Sequence, residues 1–227
     1  MKHVLDSPAW NALISGNKDL AFGNGPVRYF DKEVSPFVGL EEKKPENFQL
    51  LYEQLPHDGP VLFLTAEQTE IPAQWKVLQV IRGLQMVCDI VKAEDSELIE
   101  LVPLTHEHAP QMVALAKLTN PGPFANETIR FGHYMGIFEN GQLVAMAGQR
   151  MHAFAYAEVS AVCTHPDHTG KGYARQLLVH HINRIKKASE TPFLHVRHDN
   201  ERAIEVYKRL GFYTRREVYF NVMLKAG

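Results

Sequence analysis

The segment from Val159 to Arg175 constrains the fold more than any other part of this 227-residue sequence. An alternating apolar stretch stops at His165-Pro166, a turn with Gly170 and Gly172 follows, and an apolar pattern of helical spacing comes next. Glycines let successive backbone N–H groups converge, and the following helix adds its unpaired N–H groups and positive dipole. The order of strand, glycine turn and helix therefore predicts a site that can hold a pyrophosphate.

Two common phosphate motifs fit this turn less well. A P-loop has Ser or Thr after Gly-Lys, whereas Gly172 follows Gly170-Lys171 here. The third glycine of a dinucleotide fingerprint would fall at Arg175. On the glycines alone, a strand-to-helix connection without a ligand is the alternative interpretation.

The apolar spacing predicts mixed helices and strands along the whole chain. The clearest local signal is Asn140-Gly141 between two apolar runs, which predicts a β-hairpin. The segment from Trp75 to Val87 is interpreted as a strand or strand pair, with a helix as the alternative. We also predict helices from 8 to a stop at Gly16, at 45–55, 105–119, 171–189 and 200–210, and strands at 61–65, 133–138, 143–149, 156–162, 193–196 and 217–224.

Composition and charge exclude several classes of function. With 24 Lys and Arg against 26 Asp and Glu, the net charge is -2, and no general field would attract nucleic acid or an anionic membrane. No apolar run approaches the roughly 20 residues that cross a bilayer, and the N-terminal residues lack the pattern of a secretory signal. Only Cys88 and Cys163 are present, which fits a reducing compartment. We expect a cytoplasmic protein that binds neither nucleic acid nor membrane.

Three features together resemble the GNAT superfamily of acyltransferases. Thr169-x-x-Gly172-x-Ala174 is similar to the family's Gln/Arg-x-x-Gly-x-Gly/Ala signature, with Thr169 where the family has Gln or Arg. Residues 200–212 are similar to its Asn-x-x-Ala-x-x-x-Tyr-x-x-x-Gly-Phe pattern. The predicted order of elements after residue 100 is also the family's order. The glycine N-acyltransferase-like branch is the part of the family that the chain most resembles.

The resemblance implies a GNAT fold of the α/β (α+β) class, with a mixed, mostly antiparallel sheet and flanking helices. It implies a catalytic domain at 96–227 and a diverged GNAT-like N-terminal α/β domain at 1–95. The cofactor would be acetyl-CoA or another acyl-CoA. The residues implied to bind it are Val162, Cys163, Thr164, Thr169, Gly170, Lys171, Gly172, Tyr173, Ala174, Arg175, Asn200 and Ala203.

The implied reaction is direct attack of a primary amine on the thioester. Tyr207 would be the general acid that protonates the leaving sulfur, with a Tyr that only packs as the alternative. Glu158 would relay the proton of the amine, although alternation alone also accounts for a polar residue there. His195 or His198 is a second candidate for the base. A nucleophilic Cys163 is disfavoured because no cationic residue is adjacent in sequence.

The pairs His165-x-x-His168 and His195-x-x-His198 have metal-like spacing, but no further ligand completes either set, so we expect no metal. The partner would be a small-molecule or peptide amine, and a homodimer is possible. The main rival function is a regulatory module of the same fold that binds acyl-CoA without transferring the acyl group. A third interpretation, a protein-interaction domain with a structural partner, leaves the glycine turn unexplained.

Overall fold

The computed structural model describes residues 3–90 and 99–226. The boundary predicted near residue 95 therefore lies outside the described residues. The helices are α1 Pro8–Leu13, α2 Pro45–Gln54, α3 Ala109–Thr119, α4 Tyr173–Lys187 and α5 Glu201–Arg209. The strands are β1 Ala21–Phe22, β2 Val27–Phe30, β3 Phe37–Leu40, β4 Val61–Thr65, β5 Trp75–Val87, β6 Val102–Pro103, β7 Met135–Glu139, β8 Gln142–Ala153, β9 Tyr156–Thr164, β10 Thr191–Arg197 and β11 Tyr213–Lys225.

The described strands form one mixed sheet in the order β1-β2-β3-β4-β11-β5-β10-β9-β8-β7-β6. The pairs β3/β4 and β9/β10 are parallel, and the other neighbours are antiparallel. The predicted mixed, mostly antiparallel sheet with flanking helices is confirmed. The segment 75–87 is a single strand, and it lies between β11 and β10, so the N-terminal and C-terminal parts share the sheet.

The β7–β8 hairpin turns at Asn140-Gly141, as predicted. Both residues have positive φ, 52° and 78°, which the tight turn requires and which Asn and Gly tolerate best. Strand β8 then continues to Ala153, beyond the predicted end at Gln149. Its central residues are buried on both faces, so the alternation that would mark its length in the sequence is missing.

Helix α4 packs its apolar stripe against the sheet. Leu177, Leu178, Ile182 and Ile185 have no exposed surface, and burial of each such side chain stabilises the fold by about 1.5–3 kcal/mol. The helix starts at Tyr173 because Gly172, its N-cap, has a left-handed conformation with φ 80°. This packing fixes the glycine turn at the end of β9.

Two other helices cover different parts of the sheet. Helix α5 packs Ile204 into the same cluster as Leu178 and Ile182 of α4. Helix α2 packs Phe48 and Leu51 against the strands of the N-terminal part. Among the described residues, no helix is long and apolar enough to cross a membrane.

Candidate active site

Strands β9 and β10 separate beside the glycine turn. They pair in parallel at 156–158 and 191–193 only; beyond these positions β10 pairs with β5, while β9 continues along β8 to Thr164. Ala161 has φ 53°, and the register with β8 shifts there, so β9 carries a bulge. In the described part of the chain, 162–164 therefore has a strand partner on one side, and the other edge of its backbone is open to an extended group.

The turn after β9 contains two glycines in the left-handed conformation with open space beside them. Gly170 and Gly172 have φ 84° and 80°, and no heavy atom of the described chain lies within 4 Å of a Cβ built on either glycine. The N-cap Gly172 has no side chain to occupy the N–H groups at the start of α4. In the described residues the space beside both glycines of the turn is therefore not filled by protein side chains.

Thr164 offers a second indication of a missing polar partner. Its Oγ1 is buried and lacks a hydrogen bond in the described structure. A buried hydroxyl without a partner costs free energy, and natural proteins rarely leave one unsatisfied unless a ligand or water completes it. The open strand edge, this hydroxyl and the glycine turn lie consecutively along 162–174, which fits a long molecule with amide groups at one end and a pyrophosphate at the other.

Three other residues predicted to bind the cofactor have side chains engaged within the protein. The Thr169 hydroxyl donates to the Pro166 carbonyl at 3.0 Å. Lys171 Nζ lies 2.8 and 3.1 Å from the two carboxylate oxygens of Glu139, and the Tyr173 hydroxyl donates to the same carboxylate. The hydrogen bond from Lys171, followed by that from Tyr173, lowers the pKa of Glu139 to about 2.

Glu139 was missed by the sequence analysis. It ends β7 at the predicted hairpin, and only the fold brings it beside Lys171 and Tyr173. His168 Nδ1 also lies 3.1 Å from its carboxylate. The Glu139 carboxylate thus links the glycine turn to the β7–β8 hairpin and stabilises the conformation of the turn.

One residue of the second sequence motif, Asn200, has a different position from the one expected. Asn200 precedes α5 as its N-cap, and its Oδ1 accepts from the Ala203 backbone N–H at 3.1 Å. The predicted helix at 200–210 therefore begins one residue later, because Asn200 caps its start instead of lying within it. Ala203 and Tyr207 are partly buried against the apolar cluster shared by α4 and α5.

Tyr207 packs its ring edge-on against Phe212, with 5.9 Å between the ring centroids. Desolvation raises the pKa of its hydroxyl to about 12, so the group is protonated at neutral pH. The described structure shows no hydrogen bond from this hydroxyl to the protein. The hydroxyl is therefore a hydrogen-bond donor without a partner among the described residues.

Glu158 lies at the end of the paired part of β9, completely buried. Arg150 donates to both of its oxygens, Nε to Oε2 at 2.9 Å and a terminal nitrogen to Oε1 at 2.6 Å. Burial alone would raise the pKa of the carboxyl, but Arg150 and then His195 hold that pKa well below its usual range. The expectation of a proton-relaying Glu158 is corrected on this ground, since such a carboxylate has little affinity for a proton at neutral pH.

A β-bulge explains how Arg150 reaches Glu158. The register between β8 and β9 shifts between Gln149 and His152, so Arg150 and Met151 lie opposite Glu158. The Met151 backbone N–H also donates to Glu158 Oε2, at 3.2 Å. Arg150 was absent from the predicted site, although a charged residue inside a long apolar strand was a signal that could have indicated it.

His195 joins this ion pair to a polar row across the sheet. Its Nδ1 lies 2.7 Å from Glu158 Oε1, and its Nε2 lies 3.1 Å from Gln85 Nε2. Arg215 donates to Gln85 Oε1 at 2.8 Å, which fixes the orientation of the Gln85 amide. The amide nitrogen Nε2 therefore donates to His195 Nε2. The remaining ring proton of His195 is then on Nδ1, which faces Glu158. His198, the other histidine considered for the base, is exposed beside the Arg82 carbonyl.

The remaining sequence candidates do not assemble into a reactive or metal site. Burial raises the pKa of the Cys163 thiol to about 11, which keeps it protonated and unreactive at neutral pH. Among the residues described, no group of three or more His, Cys, Asp or Glu side chains is arranged to hold a metal ion. His165 and His168 instead contact each other edge-on beside the glycine turn.

A cavity of about 460 Å³ opens beside the Arg150–Glu158 pair. Its walls come from strands of both parts of the chain and from the loop after α3. The lining residues are Pro36, Phe37, Pro60, Val61, Leu62, Ile81, Asn120, Pro121, Gly122, Pro123, Arg150, His195, Val196, Arg197, Phe220 and Val222.

Known proteins share this arrangement of elements. The family model described as FR47-like protein matches residues 134–221, which contain the glycine turn and α5. Among curated proteins, no sequence matches the chain. Two solved structures at low identity show the same fold: a GCN5-related N-acetyltransferase from Kribbella flavida (13% identity, 96% of each chain, TM-score 0.64) and an acetyltransferase of the GNAT family from Colwellia psychrerythraea (18% identity, 86% of this chain and 80% of that one, TM-score 0.53).

A third structure is much more similar. It is a protein of the GNAT acetyltransferase family from Novosphingobium aromaticivorans, with 33% identity over 100% of both chains and a TM-score of 0.91. Similarity at this level extends over the N-terminal part as well as the part that contains the glycine turn. The chain described here belongs to the GNAT family of acetyltransferases.

Proposed function

We propose that this protein transfers an acetyl or other short acyl group from acyl-CoA to a primary amine by direct attack, with Tyr207 as the general acid. The observation that carries the proposal is the continuous run of unfilled polar groups from the open edge at 162–164 to the glycine turn before α4. When bound, acetyl-CoA supplies the acyl group as a thioester. Within the family, the glycine N-acyltransferase-like branch is our proposed placement.

The backbone of this chain would hold the cofactor at two places. The N–H groups at 170–174 and the positive end of α4 would receive the pyrophosphate. The backbone of Val162, Cys163 and Thr164 would pair with the pantetheine amides as an added strand does, and Thr164 Oγ1 would gain its partner. Arg175 would add positive charge at the first turn of α4, whereas Lys171 lies just before the helix and is paired with Glu139.

Tyr207 would donate a hydrogen bond to the sulfur as the carbon–sulfur bond breaks and the carbon–nitrogen bond forms, and the proton lost by the nitrogen would pass through water to the departing thiolate. A thiol has an ordinary pKa of about 8.5. A hydroxyl with a pKa of about 12 is fully protonated at neutral pH and acts mainly as a hydrogen-bond donor toward the developing thiolate. Donation to a developing negative charge is worth most where water is excluded, as beside the apolar cluster of α4 and α5.

The role we propose for Glu158 is positioning. Its carboxylate fixes Arg150 and His195 at the wall of the cavity next to the strand opening. The amine must react in its neutral form, and an alkyl amine has a pKa of about 10.4, so the rate should increase with pH across the neutral range. Glu158 therefore does not need to act as a base that removes the proton from the amine.

We also propose that 96–227 carries the catalytic elements and that 1–95 is a diverged partner domain. The family model matches only in the C-terminal part. The N-terminal part contributes β5 to the middle of the sheet and Phe37 and Leu62 to the cavity. It would therefore shape the site for the amine, whether that amine is a small molecule or a peptide.

Two measurements test the proposed function. Calorimetry with coenzyme A should show binding, and release of free thiol from acetyl-CoA should depend on an added primary amine. Binding without amine-dependent thiol release over a broad amine panel would favour the acyl-CoA-binding regulatory module. Absence of binding at millimolar coenzyme A would exclude both functions.

A further inference from the structure

The cavity beside Glu158 has a size and position suited to the acceptor. Its volume of about 460 Å³ is within the range of small-molecule sites, roughly 300–1,000 Å³. Its apolar wall includes Phe37, Leu62, Ile81 and Phe220. An acceptor that fills it would bury a sizeable apolar group.

The charges at the cavity wall all have one sign. Arg150 and Arg197 line it, and in the described part of the chain no Asp or Glu does. Arg197 is exposed and already held by Asp199 through two hydrogen bonds of 3.0 and 2.8 Å. Arg150 is therefore the cation at the wall whose charge is both buried and close to the strand opening.

The guanidinium of Arg150 is fixed but only partly used. The Glu158 carboxylate accepts hydrogen bonds from Nε–H of Arg150 and from one N–H of a terminal nitrogen. The centroid of the Phe37 ring lies 4.7 Å from the guanidinium carbon. A guanidinium has five N–H groups, so three remain without a protein partner in the described structure. Arg150 is only 9% exposed, and a preorganised fork of this kind is suited to an anionic oxygen pair.

Building on the proposed function, we propose that the acceptor is an amine that also carries a carboxylate next to an apolar body, and that Arg150 binds this carboxylate. The apolar body lies against Phe37, Leu62 and Phe220, and the amine faces the opening between β9 and β10. A polyamine or a lysine-rich peptide would bring further positive charge to a wall without a carboxylate. The cavity thus selects against polycationic acceptors.

The first test compares acceptors on the wild-type protein. The probes are L-phenylalanine, L-phenylalaninamide, phenethylamine and spermidine, with kcat/KM expressed per neutral amine so that their different fractions of neutral amine do not enter. A hydrogen-bonded charge pair is worth about 1.5–3 kcal/mol, so the carboxylate compound should exceed its amide by roughly 10- to 100-fold. Equal values, or a preference for spermidine, would overturn the proposal while leaving acyl transfer to amines intact.

A second test needs no turnover. Phenylacetate has the carboxylate and the apolar body without an amine, so it should raise the thermal midpoint of the wild-type protein in a concentration-dependent way. Arg150→Lys should lose this shift and the carboxylate preference, because Lys lacks the second arm of the fork. Arg82→Lys, in the exposed pair with Glu217, is the matched control and should keep both.

The two tests separate the possible failures. If phenylacetate binds but no amine is acylated, the anion site stands and the proposed function fails. If amines are acylated and phenylacetate leaves the thermal midpoint unchanged, the carboxylate site fails alone. Should Arg150→Lys not unfold cooperatively, the wild-type comparison of acid and amide decides.

Discussion

Arg150 and Glu158 form a bidentate ion pair across neighbouring strands, with N···O distances of 2.9 and 2.6 Å and both side chains buried. The pair lies where β9 and β10 separate, so it joins the central sheet to the candidate site. Because a buried charge needs its partner, removal of either residue leaves the other uncompensated.

Glu158→Gln should therefore lower the free energy of unfolding by about 3–5 kcal/mol, as expected when one member of a buried pair is lost. Urea unfolding at neutral pH measures this. Glu217→Gln, which breaks the exposed Arg82–Glu217 pair, is the control and should cost at most about 1 kcal/mol. Similar losses for the two variants would contradict the energetic role of the buried pair.

The same pair predicts a pH dependence of stability. Arg150 and His195 hold the pKa of Glu158 below its unfolded value, which is about 4.3 for a glutamate. A depressed folded-state pKa gives stability that is present above the unfolded pKa and is lost as the pH falls below it. The difference between wild type and Glu158→Gln should stay constant from pH 7 to 5 and shrink below about pH 4. A difference that shrinks already between pH 7 and 5 would indicate another titrating group.

Gly172→Val should strongly weaken coenzyme A binding. Gly172 has φ 80° at the N-cap of α4, a conformation that β-branched residues rarely adopt, so the cradle must distort. Calorimetry with coenzyme A measures the loss. Gly25→Val is the matched control, since Gly25 also has a positive φ of 56° with open space around it but lies far along the chain in the N-terminal part. Equal affinities for the two variants would argue against the cradle.

Tyr207→Phe should reduce the rate of acyl transfer by about 10²–10⁴-fold if the hydroxyl is the acid, and it should leave coenzyme A affinity nearly unchanged. Single-turnover thiol release separates the chemical step from binding. Tyr213→Phe serves as control, because its exposed hydroxyl donates to Asp89 at 2.9 Å. An unchanged rate for Tyr207→Phe would leave Tyr207 with its packing role against Phe212.

Cys163→Ala should keep activity. The thiol is buried and its pKa is raised to about 11, so little thiolate exists for nucleophilic chemistry. Loss of the sulfur from the core should cost roughly 1 kcal/mol of stability, the order found for removal of a small buried group. Thiol release and urea unfolding together check this. A loss of activity with unchanged coenzyme A affinity would reopen the possibility of a cysteine relay.

Local patterns predicted several elements well, because each depends on neighbouring residues. Asn140-Gly141 determined the hairpin turn, and the spacing of Leu177, Leu178 and Ile182 determined the buried face of α4. The short strands β1, β2, β3 and β6 were not predicted as strands. They consist of two to four residues, too few for a periodic pattern to develop.

Residues close together in the chain were enough to identify the family, to locate the glycine turn and to select Tyr207 as the candidate acid. The surroundings of Glu158, in contrast, depend on contacts between residues far apart in the chain. Its partners Arg150 and His195 come from two other strands, β8 and β10. The two bulge residues that oppose Glu158, Arg150 and Met151, are neither glycine nor proline, so the sequence does not indicate the bulge. Whether a glutamate is a free base or a locked anion depends on which charges the fold places beside it, and this is a property of long-range contacts that no local pattern contains.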